Sequence, residues 1–503
     1  MQRSVLEYLE ATAARLGDKT AFADEHGAVT FGELEERSRR LGSWLARQVP
    51  DNGTPIAILA DRCVNSPVAF MAALQCGCCY VPLDPQMPRQ RLESILEQLE
   101  SPVVLYDDAQ EKLAAELRDR YPLEPISDHA ADPVDDALLA ARRALVVDTD
   151  PVYIIFTSGS TGVPKGIVCH HRGVMDLAQW LSEAGQFTEG DTLGNQAPFY
   201  FDGSVKDLYM TIKCGATCEI IPKKLFMFPK LLVEFLNEKG VTALQWATSA
   251  FHLVAASGVL ADRSIPTLQK VLVGGEALRA PDLRAWRQAM PDAAYINLYG
   301  PTETTVDAAW YRVERDFDDN ESIPIGRACA NKELFLLDEA LRPVAPGEPG
   351  ELCIRGTGLA HGYYRDPEKT AAAFIRDPRC PHYPRRIYRT GDMAVERDGL
   401  FYFLSRRDGQ IKHMGYRIEL GEIEVALHGQ DGVEAAACLF DEGRDRILCV
   451  YTGSVEPMEL AKAMRRAVPK YMMPNLYERL EQMPYNGNGK IDRVQLKARF
   501  LGQ

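Results

Sequence analysis

Residues Val152 to Gly166 read VYIIFTSGSTGVPKG, and this stretch constrains the chain more than any other. Val152, Tyr153, Ile154, Ile155 and Phe156 form an apolar run that suits a strand covered on both faces, as in α/β proteins, more than an exposed edge. The loop that follows carries hydroxyl donors at Thr157, Ser158, Ser160 and Thr161. Gly159, Gly162 and Gly166 permit close backbone approach, and Lys165 adds a mobile positive charge. The physical reading is a phosphate-binding loop. It is not the common P-loop, in which glycine and lysine are adjacent and Ser or Thr follows. Here Pro164 precedes Lys165 and Gly166 follows it. The alternative is a Ser/Gly-rich surface turn without a ligand; the strand running directly into the loop argues against it.

At 503 residues the chain is too long for one ordinary domain and long enough for large cores. A formal charge of −14 argues against nonspecific binding to nucleic acid or anionic membranes. No apolar run reaches the roughly 18 residues of a membrane span, and the N-terminal MQRSVLEYLEATAARLGDK reads as an amphipathic helix rather than a signal peptide. Cys76, Cys78 and Cys79 cluster on an apolar segment with no partner pair at zinc spacing, so packing is the favoured reading. Reduced thiols and a cytoplasmic location are expected.

Short strands and helices alternate through the first half: strands at Ile56 to Leu59, Tyr80 to Leu83 and Val103 to Tyr106, with a helix near Val68 to Leu74. Such alternation implies parallel sheets with helices on their faces. Thr30-Phe31-Gly32-Glu33 is a capping-box pattern opening a helix striped by Leu34, Leu41, Trp44 and Leu45. Asp107 to Pro133 is more polar and reads as a peripheral excursion. Val241 to Trp246, Leu268 to Val273 and Ala293 to Leu298 read as further strands whose carboxyl ends are where ligands are sought. The last hundred or so residues read as a small α+β unit beyond a charged, glycine-containing boundary at Arg406-Arg407-Asp408-Gly409.

Asn297-Leu298-Tyr299-Gly300-Pro301-Thr302-Glu303 packs amide, aromatic, hydroxyl and carboxylate groups into one turn. An aromatic there can stack on a purine, and a carboxylate can help hold Mg²⁺ between phosphates. Further motifs follow at Tyr388-Arg389-Thr390-Gly391-Asp392, at Ser405 to Glu424 and at Asn486-Gly487-Asn488-Gly489-Lys490. Alone, each has a plain reading: a capped turn, a Gly-Asp corner, a linker, a solvated lysine.

Together and in this order the motifs closely resemble those of the acyl- and aminoacyl-adenylating (ANL) superfamily, which includes the adenylation domains of nonribosomal peptide synthetases. The resemblance covers nearly the whole chain. It implies an α/β fold: a large N-terminal domain over 1–404 with parallel-rich sheets, helices and a distorted β-barrel. A hinge over 405–409 and a small mobile α+β domain over 410–503 complete it. It implies ATP and AMP binding by Thr157, Ser158, Gly159, Ser160, Thr161, Gly162 and Lys165. It assigns an adenine contact to Asn297, adenine stacking to Tyr299, nucleotide binding to Gly300, the ribose to Asp392 and a nucleotide contact to Arg406. It assigns catalysis to Lys490, Thr302 and Glu303, the metal to Glu303 and the hinge to Asp408. Ser405 stands where glycine is usual, His413-Met414 where a more basic pair is usual, and His361 where arginine is usual; the GELCIRGTGLAHGYY stretch is given no chemistry.

Asp202, in Phe201-Asp202-Gly203-Ser204, matches the aspartate that pairs with a substrate α-ammonium in amino-acid-activating members; an Asx turn is the plain alternative. The corresponding pocket positions are Asp202, Gly203, Lys206, Gln245, Leu272, Gly274, Leu298, Val306 and Asp307. A lysine four residues after Asp202 favours an anionic side chain, whereas Asp307 would neutralise it. L-glutamate is expected first, glutamine second and aspartate third. The expected activity is aminoacyl-AMP formation with Mg²⁺, then loading of the phosphopantetheine thiol of a separate acyl or peptidyl carrier protein by a free-standing enzyme. A D-alanine ligase for cell-wall polymers and a non-catalytic nucleotide-binding regulator are the other readings.

Overall fold

The computed structural model describes residues 2–101, 103–158, 163–319, 321–407, 410–485 and 491–502. Gly159 to Gly162, Asp408 and Lys490 therefore lie outside the described residues. The chain divides into two compact units. The first comprises Met1–Pro85, Leu99–Ile155 and Gly166–Ser405; the second comprises Gln86–Gln98, Phe156–Lys165 and Arg406–Gln503. The second unit thus includes two stretches that the sequence reading places in the large domain.

In the first unit, nine strands among the described residues form one sheet. Its spatial order is Arg327–Ala328, Ala309–Arg312, Ala294–Tyr299, Lys270–Gly274, Ala243–Ala247, Thr192–Asn195, Thr217–Ile220, Thr20–Ala23 and Ala28–Thr30. From Ala294–Tyr299 to Thr20–Ala23 neighbouring strands run parallel, and antiparallel strands close both edges. Alternation along the strands sorts the side chains. Leu244, Trp246, Val271 and Val273 join Phe251 and Trp286 in one core. Leu272, Ile296 and Leu298 face the other way and pack with Val205, Leu208 and Tyr209 of the helix Gly203–Cys214.

A second sheet runs Gly362–Tyr363, Lys165–His170, Pro151–Thr157, Cys79–Leu83, Pro55–Leu59, Val104–Tyr106 and Leu123–Pro125. The polar excursion after Asp107 therefore supplies an edge strand: Leu123 is buried and pairs with Val104 while its neighbours stay half-exposed, which leaves little apolar signal. The capping box at Thr30 and Glu33 forms, with both reciprocal hydrogen bonds, and opens the helix Phe31–Gln48. Five antiparallel strands, Lys332–Leu337, Gly350–Gly356, Phe374–Arg376, Arg386–Arg397 and Leu400–Arg406, make the sheet of the region expected as a distorted barrel.

In the second unit Val433–Asp441, Arg446–Gly453 and Leu476–Arg479 form a sheet. Ala436, Cys438, Cys449 and Tyr451 point to a core shared with Ile423 and Leu427 of the helix Leu420–His428 and with Leu460 and Met464. Ala435, Ala437 and Leu439 point to the opposite face and meet Leu496. Among the described residues no helix is long and apolar enough to cross a membrane.

Candidate active site

One turn of the first unit engages two separate carboxylates. The strand Ala294–Tyr299 ends on Tyr299, whose hydroxyl donates to Asp392 Oδ2 at 2.5 Å. Three residues later the Thr302 hydroxyl donates to Asp202 Oδ2 at 2.6 Å. Asp202 sits at the N-cap of the helix Gly203–Cys214 but makes no side-chain capping bond, so its carboxylate is turned to Thr302 instead. Glu303, next in the turn, is fully buried and accepts a hydrogen bond from the Tyr363 hydroxyl at 2.9 Å. Asn297 is buried and donates its Nδ2 to the Pro324 carbonyl at 2.8 Å.

The turn is tightly folded. A Cβ on Gly300 would lie 2.1 Å from the Val306 carbonyl oxygen, so no other residue fits there without moving the backbone. Thr305 and Val306 both take left-handed backbone angles, with φ of 57° and 65°. Two consecutive β-branched residues in that region are strained and stay there only when their surroundings insist. Those surroundings include Lys332, whose ammonium donates to the carbonyls of Thr304 at 2.8 Å and of Asp307, and the Gly358 carbonyl, which accepts from the Thr305 hydroxyl at 2.7 Å. Burial pulls the Lys332 pKa below the ordinary lysine value.

The expected pocket positions gather between the nine-stranded sheet and the helix Gly203–Cys214. Gln245 and Leu272 are direct partners on neighbouring strands, as are Gly274 and Leu298. Lys206, on the first turns of the helix, is 5% exposed, and its Nζ lies 3.6 Å from Asp307 Oδ1. Asp207, beside it, is wholly buried and accepts from Gln245 Nε2 at 3.0 Å and Asn195 Nδ2 at 2.8 Å. Burial pushes its carboxyl up to about 7, against the pull of Asn195, Lys206 and Gln245. Gln245 Oε1 and Asp307 Oδ2 are buried and have no hydrogen-bond partner.

Of the signature stretch, the described residues Phe156 to Ser158 and Val163 to Lys165 lie in the second unit. There the Ser158 hydroxyl donates to the Arg417 carbonyl at 2.6 Å, and Lys165 Nζ lies 3.7 Å from Glu419 Oε1. Thr157 Oγ1 is buried without a hydrogen-bond partner.

Residues 9–364 match the AMP-binding enzymes. The chain belongs to that family. Among AMP-binding relatives, tyrocidine synthase 1 of Brevibacillus parabrevis is 30% identical over 501 residues, covering 98% of this chain and 45% of that protein. Bacitracin synthase 1 of Bacillus licheniformis is 32% identical over 501 residues, covering 98% of this chain and 9% of that protein. The chain thus spans less than half of either relative's own length. The structure of holo-PA1221, an NRPS protein containing adenylation and PCP domains bound to a vinylsulfonamide inhibitor, superposes with a TM-score of 0.84 at 27% identity. That match covers 99% of this chain and 84% of the other. The Vibrio cholerae adenylation domain AlmE, in complex with glycyl-adenosine-5'-phosphate, shares the fold with a TM-score of 0.83 at 22% identity over 99% of this chain and 98% of that one. The AMP-binding fold of the ANL superfamily is therefore the architecture of this chain.

Three residues of the site escape sequence reasoning. Tyr363 lies in the motif that is given no chemistry, yet it touches Glu303. Asp207 lies beneath Gln245, and its being the one acid in the helix Gly203–Cys214 is the signal that marks it. Lys332 lies 25 residues beyond Asp307 and carries no local signature.

Proposed function

We propose that this AMP-binding enzyme activates an amino acid as its adenylate and passes it to a phosphopantetheine thiol of a carrier protein, with glutamate or glutamine as the amino acid. The observation that carries the reading is the turn from Tyr299 to Thr302. It holds the carboxylate assigned to the ribose, Asp392, and the one assigned to the α-ammonium, Asp202, from neighbouring points of one backbone segment. An adenylating enzyme needs that juxtaposition, because its reaction joins a nucleotide phosphate to an amino acid's carboxylate.

In the first step a substrate carboxylate oxygen attacks the α-phosphorus of ATP, the bond to the β-phosphate breaks, and pyrophosphate leaves. Both reactants are anionic, so catalysis rests on positioning and cationic screening. Asp202 would anchor the amino acid by its ammonium, with Thr302 fixing that carboxylate's orientation. Tyr299 would offer its ring to adenine while its hydroxyl steadies Asp392. Lys490 and Lys165, carried over from the sequence motifs, supply the mobile positive charges. In the second step the carrier thiol, losing its proton, attacks the acyl carbon and AMP leaves. Asp408 is the position assigned to the swing between the steps.

Glu303, a buried carboxylate steadied by the Tyr363 hydroxyl, would hold a Mg²⁺, an ion that takes only one or two protein carboxylates; when bound, it would offset phosphate charge. A buried Lys206 and Asp307 have no work beside the methyl group of D-alanine, which weighs against the D-alanine reading. The test is amino-acid-dependent exchange of labelled pyrophosphate into ATP across an amino-acid panel. Exchange with glutamine or glutamate is expected; no exchange with any amino acid overturns the reading.

A further inference from the structure

The buried polar atoms of the pocket discriminate between the two expected substrates. Lys206 is paired in charge with Asp307, yet the 3.6 Å separation exceeds hydrogen-bond length. Its ammonium donors are therefore not satisfied by that contact. Two acceptors, Asp307 Oδ2 and Gln245 Oε1, are buried with no hydrogen-bond partner. An unpaired buried acceptor is costly, so a ligand that donates to both while accepting from Lys206 is favoured over one that cannot donate.

Which end of the Gln245 amide is spare depends on a chain of hydrogen bonds below it. Arg62 Nη2 donates to the Asn195 backbone carbonyl at 2.7 Å and to its Oδ1 at 3.2 Å. This leaves Asn195 Nδ2 to donate to Asp207 Oδ2 at 2.8 Å. The remaining oxygen, Asp207 Oδ1, accepts from Gln245 Nε2 at 3.0 Å. Above its raised pKa of about 7 Asp207 is ionised and only accepts, so Gln245 then turns its NH₂ toward Asp207 and keeps its carbonyl for something else.

We infer that the pocket selects an amino acid with a primary carboxamide side chain, glutamine before glutamate, and that Asp207 is the positioning residue that sets this choice through Gln245. A carboxamide offers its carbonyl to Lys206 and its NH₂ to Gln245 Oε1 and Asp307 Oδ2. A carboxylate offers no donor, leaves both acceptors unmet and faces the charge of Asp307. This reverses the order expected from the sequence, and it rests on the amino-acid-activating reading above.

The experiment measures kcat/KM for glutamine, asparagine, glutamate and aspartate in pyrophosphate exchange at about pH 8.5, where Asp207 is ionised, for wild type, Asp207→Asn and Asp307→Asn. Wild type is expected to favour glutamine over glutamate by about tenfold or more. In Asp207→Asn the new amide keeps its oxygen toward Asn195 and presents NH₂ to Gln245. Gln245 then turns its own NH₂ outward, and the glutamine-to-glutamate ratio falls by about tenfold. Asp307→Asn removes the neutralising charge and lowers the same ratio by a separate route, which keeps the test decisive if Asp207→Asn does not fold. No exchange with any amino acid removes the activity and this inference with it. Preference for glutamate, preference for an amino acid without a carboxamide, or a ratio unmoved in the folded variants overturns the inference alone.

Discussion

Lys332 Nζ donates to the Thr304 carbonyl oxygen at 2.8 Å, which ties the first strand of the antiparallel sheet to the turn that carries the candidate pocket. The same ammonium reaches the Asp307 carbonyl and lies 3.5 Å from that of Thr305. Lys332→Met keeps an unbranched apolar stem and removes every one of these donors. Stability is expected to fall by about 2 kcal/mol, read from urea unfolding. The KM for the preferred amino acid should rise more than that for ATP, because Val306 and Asp307 ride on the released turn. Equal changes in both constants would mean that Lys332 supports the fold without placing the pocket.

Tyr299→Phe keeps the ring and removes the hydroxyl that Asp392 accepts at 2.5 Å. A hydrogen bond to a charged group contributes about 1.5–3 kcal/mol, so the KM for ATP is expected to rise roughly tenfold or more. The amino acid KM should change little, since Thr302 continues to hold Asp202. A selective loss of amino acid affinity would contradict the assignment of Asp392 to the nucleotide.

His170 and His171 are held neutral. His170 Nδ1 accepts from the Gly173 N–H at 2.9 Å, so its Nε2 carries the hydrogen that is donated to the Leu359 carbonyl at 3.0 Å. Burial pushes both imidazoles down to about 4 from an ordinary 6.5. Between those values the unfolded chain takes up protons that the folded chain refuses, so their contribution is full above pH 6.5 and is lost as pH falls toward 4. Asp207 runs the other way. With its carboxyl raised to about 7, the folded chain keeps a proton that the unfolded chain has released, and its contribution declines as pH rises toward 7. Urea midpoints taken from about pH 4.5 to 7 should therefore rise more steeply in Asp207→Asn than in wild type. A flatter profile in the variant would show that Asp207 does not hold a proton across this window.

Lys490 lies outside the described residues, and its role is carried from the NGNGK motif. Lys490→Ala is expected to lower adenylate formation by about a hundredfold, as the loss of one transition-state charge contact commonly does. Transfer from preformed aminoacyl-adenylate to the carrier thiol should be nearly unchanged. If single-turnover measurements show equal damage to both half-reactions, Lys490 is not the adenylation lysine.

The elements that can be read from sequence are those whose signal is local. The strand at Val152 and the capping box at Thr30 announce themselves by apolar run and by residue spacing. The structure extends the strand by a residue at each end, to Pro151–Thr157, and starts the helix at Phe31, directly after its Thr30 cap. Leu123–Pro125 escapes because an edge strand with one buried residue has no periodic pattern to show. In the site, motif order marks Tyr299, Asp392 and Asp202. It does not show that Thr302 and Tyr299 hold those acids, or that Tyr363 reaches Glu303, since these contacts join residues 60 to 100 positions apart. The pairing of Lys206 with Asp307 is legible as one option for a charged pocket, whereas the Asp207 chain beneath Gln245 depends on which amide end faces which oxygen, and no residue spacing carries that.

The left-handed angles of Thr305 and Val306 also limit how this pocket can be re-engineered. A library built at position 306 does not sample side-chain size on a neutral background. Every branched residue placed there inherits the same backbone penalty, while glycine and asparagine escape part of it and gain stability before any substrate is met. Variants recovered by expression or heat tolerance will be enriched for relaxed backbones rather than for new selectivity. Screens at this position should therefore be normalised to each variant's own stability.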